Sequence, residues 1–148
     1  MVHPELLDLF ENIMMTLSRL NERIKDDIDR SIYSKQQLMT IVRLHLGGRA
    51  RLKDIAKREM VPTSNLCLML KNLEHDDLVM RSVDEADRRN TWYSLTPKGE
   101  KLARDSLRDL RARLAKMFVG IDKKDEQKMI GALYTMNEVL NKIWVRNQ

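Results

Sequence analysis

The residues best suited to bind a charged partner lie in one polar segment, Asp84 to Asn90, which reads Asp-Glu-Ala-Asp-Arg-Arg-Asn. Two arginines, Arg88 and Arg89, directly follow Asp87 in it. A guanidinium donates hydrogen bonds from a rigid planar fork, and this fork matches the oxygens of a phosphate or a carboxylate. A segment this polar cannot be buried, so we expect it to project into solvent as a loop. The chemistry that it offers is the capture of an anion.

Short alternating segments on either side of this loop predict a β-hairpin. Leu78 to Val83 precedes the loop, and Thr91 to Leu95 follows it. In the second segment Tyr93 and Trp92 point to opposite faces, because the side chains of a strand alternate with a period of two. Thr96-Pro97 comes next and supplies an N-cap oxygen, followed by the one helical position that favours proline. The hairpin should therefore lead directly into a helix.

Apolar residues recur every three or four positions through most of the remaining chain, as they do on one face of an amphipathic helix. The predicted helices run from Pro4 to Asp29, Ser34 to Gly47, Arg51 to Met60, Asn65 to His75, Pro97 to Val119 and Asp122 to Arg146. Four helices, a hairpin and two more helices predict a mainly α fold. In this fold, three short helices and a β-hairpin wing form one lobe, and long N- and C-terminal helices form a dimerisation region.

The third and fourth helices have the proportions of a helix-turn-helix, with Pro62-Thr63-Ser64 breaking the chain and capping the fourth helix. In this motif the second helix lies in the major groove of DNA, and its N-terminal amides also attract phosphate. A hairpin directly after it makes a winged helix. An arginine at the tip of such a wing suits the narrow minor groove, where the negative potential is concentrated.

The overall composition fits a protein with a single core, since the chain has 148 residues, 43% of them hydrophobic and 33% charged. The net charge is +5, yet eight basic residues between Arg51 and Tyr93 are balanced by eight acidic ones. We therefore expect a few well-placed cations rather than a broadly basic surface. One cysteine, no apolar run long enough for a membrane span and no signal peptide predict a protein of the reducing cytoplasm.

Neither catalysis nor a metal site is predicted. His3, His45 and His75 are scattered, without the spacing that zinc ligands usually show. The sequence has no glycine-rich phosphate loop and no nucleophile elbow. We expect no cofactor and no enzymatic activity.

Four stretches carry a resemblance to the MarR family of bacterial and archaeal regulators over essentially the full chain. They are Leu52 to Ala56, Leu73 to Val79, Asp87 to Arg89 and, most specifically, Tyr93-Ser94-Leu95-Thr96-Pro97-Lys98-Gly99. The resemblance implies a homodimer with interlocked terminal helices that binds a pseudo-palindromic operator in double-stranded DNA, usually as a repressor. Many members release DNA when a small ligand binds or a cysteine is oxidised.

Carried over to this sequence, the resemblance implies particular DNA contacts. Asp87 would orient an arginine, and either Arg88 or Arg89 would enter the minor groove, with Arg89 fitting the spacing better. The predicted contacts of the recognition helix are Thr63, Ser64, Asn65, Lys71 and Asn72.

Two positions depart from the family pattern. Leu68 stands where several members carry a base-reading arginine. Asp77 stands where a glycine usually ends the recognition helix, and it would be strained if that position is left-handed.

The same resemblance predicts a single MarR-like domain over residues 1–148. Its DNA-binding lobe would span residues 34–96, and residues 1–30 and 97–148 would form the dimerisation helices. A pocket for a small apolar or aromatic effector would draw on Tyr33, Met39, Arg43 and Met117. Cys67 would be either a small core-filling side chain or, with less support from its surroundings, a redox sensor.

The favoured interpretation is therefore a homodimeric, sequence-specific transcriptional repressor, released from its operator by a small molecule. The alternative is a winged-helix protein-interaction module without specific DNA binding, which the balanced charge of the lobe and Leu68 favour.

Overall fold

The computed structural model describes residues 2–25, 32–84 and 91–146 of the chain. Its elements are, in order, helix α1 (Pro4–Lys25), helix α2 (Lys35–Gly47), strand β1 (Ala50–Arg51), helix α3 (Leu52–Glu59), helix α4 (Thr63–His75), strand β2 (Val79–Val83), strand β3 (Thr91–Leu95), helix α5 (Pro97–Met117) and helix α6 (Lys123–Arg146). The mainly helical winged fold predicted from the sequence is confirmed. In the described part of the chain, no helix is both long and apolar enough to cross a membrane.

Two details of the prediction were wrong. Arg51 belongs to strand β1 and not to the third helix, which begins at Leu52. The fourth helix begins at Thr63, two residues before the predicted start at Asn65. The predicted end of the first helix at Asp29 lies outside the described residues.

The chain divides into two compact units, Met1–Arg111 and Ala112–Gln148. The buried core belongs to the first unit and is formed by α2, α3, α4, the sheet and the start of α5. Its members are Ile41, Leu44, Ile55, Ala56, Leu66, Leu70, Leu73, Leu78, Val79, Tyr93 and Ala103. Because these residues recur at helical spacing in α4 and at the inward positions of the strands, each element has one apolar face toward the others.

The three strands form an antiparallel sheet in the order β1-β3-β2. In β3, Tyr93 pairs with Arg81 of β2 and Ala50 of β1, and its ring is buried. Trp92 pairs with Ser82 and Arg51, on the face of the sheet that points away from this core. The predicted two-faced hairpin is confirmed, and the short strand β1 extends it.

The exit of α4 is tied to the start of α5 through the hydroxyl of Thr96. Thr96 Oγ1 donates a hydrogen bond to the carbonyl oxygen of Asp77 (2.6 Å) and accepts one from the amide of Gly99 (3.0 Å). Asp77 has a positive φ of 57°, the left-handed conformation that its replacement of glycine put in question. Holding a non-glycine residue there costs about 1 kcal/mol. The hydrogen bond from Thr96 helps to offset that cost.

Within this junction, the backbone of Gly99 lies very close to the backbone of Leu78. A Cβ atom at this position would lie 2.0 Å from the carbonyl oxygen of Leu78. That oxygen belongs to the backbone and accepts a hydrogen bond from the amide of Thr96 (3.1 Å), so it cannot move aside freely. The position therefore requires glycine.

We expect Gly99→Ala to lower the free energy of unfolding by about 1 to 3 kcal/mol, because the added methyl group must displace backbone. Thermal and urea denaturation followed by circular dichroism measure this change. Gly47→Ala is the matched control, since its Cβ would meet only the end of the Arg58 side chain at 3.7 Å. Equal stability of the two variants would contradict the tight junction.

Candidate nucleic-acid interface

A tight turn joins α3 to α4. Met60 ends α3 in the left-handed conformation (φ 52°, ψ 40°), and its backbone N–H donates to the carbonyl of Ala56. Its side chain is 91% exposed, so it serves the turn and not the core. Pro62 follows two residues later and α4 begins directly after it. Two short helices joined in this way form the helix-turn-helix that the sequence predicted.

The N-terminus of α4 is open to a ligand. Pro62 occupies the N-cap position, and no side chain of the described residues caps the helix there. Thr63 and Ser64 lie in the first turn, so the prediction that they cap the helix was wrong. The first backbone amides of a helix have no partner within the helix, and together with the helix dipole they favour an anion. This end of α4 is therefore suited to a phosphate group.

One face of α4 is open along its whole length. Leu66, Leu70 and Leu73 are buried on the inner face. The residues predicted to contact DNA all lie exposed, namely Thr63, Ser64, Asn65, Lys71 and Asn72. Ser64 and Lys71 are seven residues apart, as are Asn65 and Asn72, and seven residues are about two turns of a helix, so these four lie on a single helical face. The structure thus brings this part of the predicted site together on one surface.

Leu68 lies in the middle of this exposed polar face and is 64% exposed. A large apolar side chain in that position gains nothing from the core of the free chain. In the major groove, an apolar side chain can pack against the C5-methyl group of thymine. The face therefore combines hydrogen-bonding groups, one ammonium and one apolar contact.

The wing is formed by β2 and β3, which pair from Val79 opposite Leu95 to Val83 opposite Thr91. Asp84, the first loop residue, accepts a hydrogen bond from the indole nitrogen of Trp92 (3.3 Å). Asp87, Arg88 and Arg89 lie outside the described residues, so their predicted roles stay predictions.

Sequence reasoning missed two cations at the base of the wing. The guanidinium carbons of Arg49 and Arg51 lie 4.7 Å and 4.9 Å from the centre of the Trp92 ring. The two-residue strand β1 aligns Arg51 with Trp92. No period in the sequence could reveal a strand this short.

The predicted effector pocket is not assembled by the described contacts. Arg43 forms an ion pair with the nearly buried carboxylate of Glu59 and lines a small cavity of about 10 Å³ between α2 and α3. Tyr33 is half-buried and Met39 is 40% exposed, and neither lines this cavity. Met117 is the last residue of α5, in the second unit. The effector pocket therefore stays a prediction.

The cysteine and histidine side chains that could take part in redox chemistry or metal binding lie apart from one another. Cys67 is half-buried in α4. His45 of α2 contacts Glu100 of α5 (Nδ1 to Oε2, 2.5 Å), and His75 lies beside Asp76. Within the described ranges, no group of three or more His, Cys, Asp or Glu side chains could hold a metal ion.

Comparison with known proteins agrees with this geometry. Residues 33–99 match the family model of a winged helix DNA-binding domain. The match covers α2, the helix-turn-helix, the sheet and the first residues of α5. The HTH-type transcriptional repressor MdtR of Bacillus subtilis is 28% identical over 112 residues, which are 73% of this chain and 72% of that protein.

Solved structures share the fold at low identity. The structure of RV1404 from Mycobacterium tuberculosis superposes with a TM-score of 0.75 at 23% identity, covering 91% of this chain and 94% of that one. The structure of Streptococcus pneumoniae FabT in complex with DNA superposes with a TM-score of 0.69 at 20% identity, covering 93% of this chain and 99% of that one.

If the open face of α4 lies against DNA, Lys71→Gln should weaken binding to any duplex and lower the slope of log K against log[salt] by about 0.9 per lost phosphate contact. Fluorescence anisotropy over a salt series measures both quantities. Lys101→Gln, at an exposed position of α5, removes the same charge elsewhere. An identical slope in the two variants would remove Lys71 from the interface.

Proposed function

Because this chain is a winged-helix transcriptional regulator of the MarR type, we propose that it acts as a homodimeric repressor that occupies a pseudo-palindromic operator. The open face of α4 is the observation that carries the proposal. Its uncapped N-terminus offers amides to a phosphate, and its exposed side chains offer hydrogen bonds to base edges. We assign Asn65 to base recognition and Lys71 to a backbone phosphate.

The wing supplies the second contact in this proposal. The strands β2 and β3 pair with each other and follow α4 directly in the chain. Arg89 would enter the minor groove, oriented by Asp87, where an arginine meets concentrated negative potential. Since basic and acidic residues are equal in number between Arg51 and Tyr93, each such cation should matter individually.

Dimerisation is proposed from the apolar stripes of the terminal helices. On α1, Leu6, Phe10, Ile13 and Leu17 are between 41% and 59% exposed. On α6, Met129, Leu133, Leu140 and Ile143 are between 39% and 52% exposed. Stripes of this length on an isolated chain leave a large apolar surface in water, and a second copy would cover it. A symmetric dimer also presents two copies of α4 to two half-sites about one helical turn of DNA apart.

Release from the operator would follow from an effector that binds the DNA-free dimer better than the DNA-bound one. We propose a small apolar or aromatic molecule, near Tyr33, Met39 and Arg43, and a cytoplasmic site of action without enzymatic activity. The competing function is a protein-interaction module. It is favoured by the exposed side chain of Leu68, and the DNA-binding experiment separates the two.

The first test compares the DNA beside the protein's own gene with a random duplex of equal length in fluorescence anisotropy. We expect affinity for the first to be higher by about a thousandfold or more, and binding to both to weaken with salt. Equal affinity for the two duplexes would favour the protein-interaction module. Arg89→Ala should weaken binding and flatten the salt dependence, whereas Arg111→Ala, at an exposed position of α5, should change neither.

The dimer is tested by Leu133→Glu, which places a charge in the exposed apolar stripe of α6. We expect the mass from analytical ultracentrifugation to fall from that of two chains to that of one, because burying an unpaired carboxylate is costly. Gln127→Glu introduces the same group at an exposed position on the opposite side of α6 and should leave the dimer intact. Dissociation of both variants, or of neither, would show that this stripe is not the interface.

A further inference from the structure

A cluster of one indole and two guanidinium groups lies at the base of the wing. Arg49 precedes β1, Arg51 ends it, and Trp92 pairs with Arg51 across the sheet. The guanidinium carbons lie 4.7 Å and 4.9 Å from the centre of the indole ring. The indole N–H donates to Asp84, where the wing loop begins (3.3 Å). The cluster therefore joins the start of the helix-turn-helix to the wing.

An aromatic ring can hold a guanidinium group against its face without occupying the N–H donors of that group. A cation over an aromatic face is attracted by the ring quadrupole, and the N–H groups in the plane of the guanidinium remain available to an acceptor. Arg49 is exposed, and within the described ranges the indole is its only recorded partner. The Nε atom of Arg51 is buried and has no hydrogen-bond partner among the described residues. Two cations thus contact the same indole ring.

The position of the cluster indicates the kind of ligand. Arg51 occupies the N-cap position of α3, the first helix of the helix-turn-helix. In this motif the first helix crosses the sugar-phosphate backbone while the second enters the major groove. Trp92 stands one residue after the start of β3, directly beside the wing loop. A phosphate between the two DNA contacts would therefore pass close to both arginines.

We propose that Arg49 and Arg51, stacked on Trp92, form a binding subsite for a backbone phosphate of DNA, and that Trp92 is the positioning residue of this subsite. The inference rests on the proposed DNA-binding function and adds a contact between the recognition helix and the wing. Asp84 accepts the indole N–H and so favours this orientation of the ring, whose aromatic face holds the guanidinium groups. The subsite carries no sequence information, because every base pair presents the same phosphates.

Any duplex can test this subsite, since phosphate contacts do not depend on sequence. The probe is a fluorophore-labelled random duplex of about 30 base pairs, titrated between about 50 and 200 mM salt. The variants are Arg49→Gln, Arg51→Gln, Trp92→Leu and Trp92→Phe. Arg111→Gln is the control for charge, because it removes one exposed arginine of α5. Thermal melting of every variant checks that it is folded.

We expect each of the two glutamine variants at the wing base to lower the slope of log K against log[salt] by about 0.9 per lost phosphate contact, with Arg111→Gln unchanged. Trp92→Leu should weaken binding about threefold to tenfold because the arginines lose their platform. Trp92→Phe keeps an aromatic face and should restore most of that loss, which a purely structural role of the indole N–H would not allow.

The proposal and the function beneath it fail in different ways. If the unaltered protein shows no salt-dependent binding to any duplex, the DNA-binding function itself is wrong. If it binds with a steep salt dependence and Arg49→Gln keeps the full slope, only the subsite is overturned. Arg49 is exposed, so its substitution leaves the core untouched and this variant decides the question even if a variant of Trp92 fails to fold.

Discussion

The hydroxyl of Thr96 is the interaction on which the geometry of the DNA-binding lobe depends. It donates to the carbonyl of Asp77 and accepts from the amide of Gly99, and Thr96 itself is 5% exposed. One side chain thereby joins the exit of α4, the end of the wing and the first turn of α5. Because these three elements meet at a single buried point, a change in the angle between α4 and the wing would strain or break these two hydrogen bonds. Two surfaces that must meet the same duplex need such a fixed angle.

The helix start in this junction could be predicted from the sequence, because it depends on adjacent residues, whereas the hydrogen bond from Thr96 to Asp77 joins residues 19 positions apart. Thr96 followed by Pro97 marks a helix start, and the helix begins where that pair predicts. The conflict at Asp77 was also visible, since a residue other than glycine stood at a position expected to be left-handed. The start of α4 was missed because three adjacent residues could each begin a helix there. Only the backbone shows that Pro62 takes the N-cap position.

In the candidate site, too, features set by neighbouring residues could be predicted from the sequence, and features set by distant residues could not. The open face of α4 follows from the helical period, whereas Ser64, Lys71 and Asn72 were singled out on it by the family resemblance. The cluster on Trp92 depends on the register of β1 against β3, a contact between residues about forty positions apart. A two-residue strand has no alternation that could reveal it. The predicted effector pocket would depend on the packing of helices far apart in the chain, which the spacing of methionines does not determine.

The charge balance between Arg51 and Tyr93 explains why the positions of individual cations matter for DNA binding. Between Arg51 and Tyr93 the eight cations are matched by eight anions, so this part of the lobe attracts DNA weakly at long range and cannot rely on broad electrostatic attraction. Affinity must then come from cations whose positions are set in advance, because each side chain that is already ordered loses less conformational entropy on binding. An indole that stacks two guanidinium groups reduces that loss while leaving their donors available. In the proposed complex, the open face of α4, with Leu68 among its polar groups, would distinguish one sequence from another. In the proposed complex, the cluster on Trp92 adds phosphate contacts to those of α4, and the hydrogen bonds of Thr96 join the end of the wing to the exit of α4.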